Sequence, residues 1–155
     1  MQALFANQRE TNLASTTALI EECLTELGYH PPETSRIDLA GALQAWRVQK
    51  GSAIAVIALY ARTEFTHMRI SAVVMTLDDK VDRAALYEYL LTLNVELCGN
   101  AFAVDRDRVL LVAERTTLDL DRSEIVDLIK RVTTNADHHD DQLVAKFGGT
   151  LGGPI

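Results

Sequence analysis

The spacing of apolar residues changes repeatedly along the chain, and each change marks an element. Leu13, Ile20, Leu24 and Leu27, with Ala14 and Cys23 beside them, recur at helical intervals. They predict a first helix of about four turns, with Thr11 or Asn12 as N-cap and Gly28 as stop. Pro31 and Pro32 forbid its continuation and hold His30 extended, so this stretch leads into a sheet. Between Trp46 and Leu77 the period falls to two. Residues 46–50, 53–62 and 65–77 are rich in Val, Ile, Tyr, Phe and Ala, and polar breaks at Gly51-Ser52 and Thr63-Glu64 are hairpin-length. An antiparallel meander of three strands follows, with Ile37 and Leu39 as a short leading strand.

Helical spacing returns over residues 82–98, where Asp78, Asp79 and Asp82 offer caps and Gly99-Asn100 ends the run. Leu86, Leu90, Leu93 and Leu97 form one stripe, and Tyr87, Leu91 and Val95 form a second beside it. A helix apolar over so much of its circumference needs two partners. Residues 101–105 and 109–115 then read as the arms of a hairpin. Asp121 and Glu124 fit a capping box opening a helix over about 122–147, along the apolar line Ile125, Leu128, Ile129, Val132, Ala136, Leu143 and Phe147. Unbroken, it would reach about 39 Å; its polar middle, residues 133–141, is where a bend or fraying is expected. Gly148-Gly149 stops it, leaving residues 148–155 as a flexible Gly-rich tail after a single domain over 1–147.

The class is therefore α+β: an antiparallel sheet of about five strands with three helices, in the order α-βββ-α-ββ-α. Its strand faces differ. In the third strand Met68, Ile70, Ala72 and Val74 alternate with His67, Arg69 and Ser71, giving one core face and one partly polar face. The second strand is apolar on both faces, which predicts double cover, with another subunit as a source of the second layer.

With 155 residues, 48% of them apolar and 24% charged, the chain is long enough for a core of its own and carries no membrane-spanning run. A net charge of −7, with the fifteen Lys and Arg scattered, argues against direct nucleic-acid or anionic-membrane binding. Cys23 and Cys98 both sit in apolar periodic segments, as small buried hydrophobes do, which fits a reducing cytoplasm.

The candidate chemistry is sparse. Asp137-His138-His139-Asp140-Asp141 could share a helix face and hold a divalent cation, yet no zinc spacing is present and a solvated face is the ordinary meaning of such a cluster. His30 and His67 stand alone, without a carboxylate near them in sequence. Residues 148–153 resemble a phosphate-cradling loop but lack its Lys-Ser/Thr end and follow a helix instead of preceding one. Trp46, Tyr60 and Phe65 suit core packing, unless Trp46 proves exposed beside Arg47. No catalytic, cofactor-binding or metal-binding residues are assigned.

Leu90-Leu91-Thr92-Leu93-Asn94, then Ala101-Phe102-Ala103-Val104-Asp105, residues 109–114 and Leu118-Asp119 before a helix together resemble the YbjN family of bacterial proteins, which is structurally similar to type III secretion chaperones. One departure is the turn Asp105-Arg106-Asp107-Arg108, where members of that family often carry a glycine. A tight turn at positive φ is strained without glycine, so a longer or type I connection is expected. The resemblance implies a homodimer without a catalytic centre that binds a partner protein, holding an extended client by apolar grooves or strand addition. The resemblance fixes no contact residues; from the residues themselves, the second stripe of the 82–98 helix (Tyr87, Leu91 and Val95) and the hairpin face (Leu110 and Val112) are the expected dimer interface. The competing expectation is an enzymatic or small-molecule-binding domain with a site between sheet and helices; a third is a nucleic-acid role through a partner.

Overall fold

The computed structural model describes residues 2–63 and 65–153. Glu64 of the second polar break and the last two residues of the expected tail lie outside them. Three helices, α1 (Gln2–Glu26), α2 (Arg83–Asn94) and α3 (Arg122–Phe147), accompany six strands: β1 (Gln44–Lys50), β2 (Ala53–Ala61), β3 (Thr66–Thr76), β4 (Ala101–Asp105), β5 (Arg108–Thr116) and β6 (Thr150–Leu151). The sheet is antiparallel throughout, ordered β1-β2-β3-β5-β4, with β6 also paired to β3. The α-βββ-α-ββ-α order holds, with β6 added after α3.

Alternation along the strands separates the two faces of the sheet. Trp46, Ile57, Met68, Ile70 and Leu111 are fully buried on one face against Ile20, Leu24, Leu86, Ile125 and Ile129 of the helices. α3 crosses β1, β2, β3 and β5 on this face, α1 packs on α3, and α2 sits beside β4. Arg122 of α3 ties the two long helices together by pairing with Glu22 and Glu26 of α1. Trp46 belongs to the core, its Nε1–H donating to Glu21 Oε1 at 3.2 Å.

The opposite face carries no helix. Over β1 and β2 it is covered from within the chain: Ile37, Leu39, Ala42 and Tyr60 pack on Ala45, Val56 and Ala58. This corrects the expectation that a second subunit supplies the other layer on β2. The leading strand expected at Ile37 and Leu39 reduces to one bridge, Arg36 to Trp46, because the segment turns to lie across the face instead of along the edge.

Four boundaries differ from expectation for physical reasons. α1 begins well before Thr11, and the expected cap Asn12 lies inside it, its Oδ1 accepting from Thr117 Oγ1 at 2.7 Å. α2 stops at Asn94 instead of residue 98, because the Asn94 side chain turns to the backbone of β4. α3 runs through its polar middle without a break, since Thr133 and Asp140 are buried there. Finally, the expected flexible tail is a strand over Thr150–Leu151, with register Met75 to Leu151 and Thr76 to Thr150.

The β4–β5 turn is another correction. It is tight, with Asp105 paired directly to Arg108 and Arg106 left-handed at φ 59°. The strain of a non-glycine there, about 1–2 kcal/mol, is offset by neighbours: Leu77 N–H donates to Asp107 O at 2.6 Å, Arg83 reaches Arg106 O at 3.3 Å, and Arg108 pairs with Asp105 at 2.6 Å.

Candidate interaction surface

The residues expected at an interface fall into two groups on two layers. On α2, Asp82 caps the helix by accepting from Ala85 N–H, and the 3.6-residue turn sends Leu86 and Leu90 into the core. Tyr87 packs at the margin of that core, whereas Leu91, and Val95 at the C-cap just past the helix, point away from it. Leu91 is 68% exposed and Val95 86%, while Tyr87 is half-buried and receives an Arg83 N–H at 3.4 Å. Leu110 and Val112 project instead from the helix-free face of β5, both half-buried. They lie together, two residues apart, with Leu110 flanked by Val73 and Ala103 and Val112 by Ser71 and Ala101. The edge strand β4 separates the two groups.

Asn94 holds that edge. Its side chain accepts from Phe102 N–H at 2.7 Å and donates to Phe102 O at 3.3 Å, reproducing the pairing a further strand would give. Val104, next along β4, is 43% exposed. These edge residues were missed from sequence; the only signal was a polar Asn94 at the end of an apolar helix.

The helix-free face has a charged border. Glu114 Oε1 accepts from Arg62 at 3.0 Å and lies 3.4 Å from His67, while Oε2 lies 3.0 Å from Arg69 Nε, close in charge but without hydrogen-bond alignment. One carboxylate thus serves two guanidinium groups and an imidazole.

The acidic cluster on α3 is a clamp. Asp137 Oδ1 accepts both Ser52 N–H at 2.9 Å and Ser52 Oγ–H at 3.1 Å, and Ser52 Oγ also lies 2.7 Å from Asp140 Oδ2. Lys50 Nζ donates to Thr134 Oγ1 at 2.6 Å. The β1–β2 turn is thereby pinned to α3. His139 stacks edge-on against Phe102 with centroids 5.4 Å apart, and burial, followed by the neighbouring His138, pulls its pKa below the ordinary histidine range. Among the described residues no group of three His, Cys, Asp or Glu side chains converges as metal ligands, and no helix is long and apolar enough to cross a membrane.

The molecule thus combines a packed core with exposed apolar side chains on α2 and just past its end, an open sheet face and a partly capped sheet edge. Over residues 14–152 the sequence matches the family of type III secretion (YopN, CesT) and YbjN peptide-binding chaperones, TY-Chap1, and the chain belongs to that family. Among solved structures, a chain of the ExsC–ExsE complex superposes with TM-score 0.61 at 14% identity, covering 84% of this chain and 94% of that one. A chain of the HopA1–SchA chaperone–effector complex gives 0.57 at 10% identity, covering 85% and 97%. A chain of the complex of the Yersinia pestis type III secretion chaperone SycH with a stable fragment of YscM2 gives 0.51 at 22% identity, covering 77% and 94%. At these identities the likeness is one of fold. No curated protein matches the sequence.

Proposed function

We propose that this chain is a non-catalytic, cytoplasmic chaperone that works as a homodimer and binds an extended segment of a partner protein. The observation that carries the reading is membership, over nearly the whole chain, of a family described as peptide-binding chaperones. Two features of the molecule support it. The space between sheet and helices is filled by Trp46, Ile57, Ile70, Leu111, Ile125 and Ile129, all fully buried, which leaves the outer surfaces for binding and disfavours a small-molecule site between the layers. The exposed apolar side chains Leu91 on α2, Val95 just past its end and Val104 on the adjacent strand β4 lie where a second copy or an extended client would cover them. Tyr87, Leu91, Val95, Leu110 and Val112 are assigned to the contact between copies.

Selection of a random displayed-peptide library on the folded chain tests the reading. Extended sequences with alternating apolar residues are expected to enrich and to compete with one another. Absence of enrichment above an unrelated α+β control would overturn it.

A further inference from the structure

β3 carries two partners on one of its edges. β2 pairs with it only between Thr66 and Ala72, while β5 occupies the opposite edge as far as Thr76. The first residues of β2 do not follow β3 further, because the turn before them is pinned to α3 through Ser52. That leaves the stretch from Val73 to Thr76 with an open edge, and β6 fills it. Met75 pairs with Leu151, Thr76 with Thr150, and Gly152 N–H donates to Val74 O at 3.2 Å.

The occupant is selected by backbone, not by side chains. A β-carbon on Gly152 would overlap the Val73 carbonyl oxygen, and one on Gly149 would overlap the Thr76 carbonyl oxygen. Gly149 is also left-handed at φ 76°. Between them, Thr150 and Leu151 are both exposed, so neither adds a buried anchor. A two-residue ladder of this kind is held by few main-chain bonds, and any strand with the same backbone can replace it.

We propose that the β3 edge between Val73 and Thr76 is a strand-addition site for an extended peptide of Gly-x-x-Gly type, and that β6 is its built-in competitor. The inference rests on the peptide-binding reading above. In the resting chain β6 keeps the Val74 carbonyl paired; a client segment displaces it and takes over the same bonds.

The test uses the full chain carrying Gly152→Val, which cannot seat β6, and a fluorescein-labelled peptide of residues 147–153. Fluorescence anisotropy is expected to show the peptide binding the variant at least tenfold more tightly than the wild type. The same peptide bearing Gly152→Val is expected to lose at least tenfold. Equal binding to a folded variant and to wild type, or equal binding of both peptides, would overturn the site. If Gly152→Val does not fold, Gly149→Val replaces it. Should neither fold, amide exchange at Gly152 of the wild type decides: faster exchange with saturating unlabelled peptide supports displacement, and unchanged protection refutes it. Library peptides that bind wild type and Gly152→Val equally would remove this site while leaving the peptide-binding function standing.

Discussion

Asp137 illustrates what a single residue can hide in a sequence. Within its own helix it is one of five charged or titratable residues in a row, and spacing alone leaves open a solvated face or a cation site. Its partner Ser52 is 85 residues away, so nothing local announces the clamp. The contact has a sharp consequence at Gly51, which is left-handed at φ 57° and whose β-carbon would overlap Asp137 Oδ1. Gly51→Ala is expected to cost about 2–3 kcal/mol, combining left-handed strain with disruption of the Ser52 bonds. In an Asp137→Ala background the same change should cost only the strain, about 1–2 kcal/mol. Urea denaturation of the wild type and the three variants measures the coupling, and simple additivity would show that Asp137 is not the obstacle. His139 gives a pH signature. Its folded pKa is lowered, first by burial and then by His138, so the unfolded chain binds the proton more readily. Its contribution to stability is complete above the unfolded value, about 6.5, and is lost as pH falls through the folded value. Glu21, held low mainly by its hydrogen bond from Arg36, loses its contribution in a separate window below about 4.5. Melting temperature against pH should therefore show two acid steps, and His139→Phe should remove the upper one alone.

At the scale of elements, legibility follows the strength of the periodic signal. β4, β5 and α3 were readable to within a residue because alternation, a capping box at Asp121 and Glu124, and Gly148 all agreed. The start of α1 was not, since the residues before Leu13 carry no apolar stripe in register with the rest of the helix. β6 was illegible for another reason: Thr150 and Leu151 are a strand only because glycines on either side let the backbone meet β3, and glycine normally signals a loop. The edge of β4 lies between these cases, and it is testable. Removing the Asn94 amide leaves Phe102 N–H and C=O without their partner, which should cost about 1–3 kcal/mol. Asn94→Ala is therefore expected to lower stability by that amount and to speed amide exchange at Phe102, while exchange in β2 stays unchanged. Unaltered protection at Phe102 would mean that the edge is covered by something other than Asn94.

For the whole molecule, the decisive question is how the two separated apolar groups are used. Tyr87 and Leu91 on α2 with Val95 just past its end cannot alone supply the roughly 800 Å² per partner that a stable interface buries. The proposed contact must therefore continue around β4 onto Leu110 and Val112, and a copy that grips both layers would straddle the edge strand. The groups can be told apart because they differ in exposure. Leu91 and Val95 are open, so Leu91→Asp with Val95→Asp should change the stability of a single copy by no more than about 0.5 kcal/mol per site. Leu110→Asp places a charge on a half-buried position and should cost more. Light scattering is expected to give twice 17.1 kDa for the wild type and 17.1 kDa for the α2 double variant and for Leu110→Asp. A dimer that survives the α2 changes but not Leu110→Asp would confine the contact to the sheet face and free the α2 line for the client. A dimer that survives both would move the contact elsewhere, and a wild type already at 17.1 kDa would refute the dimer outright.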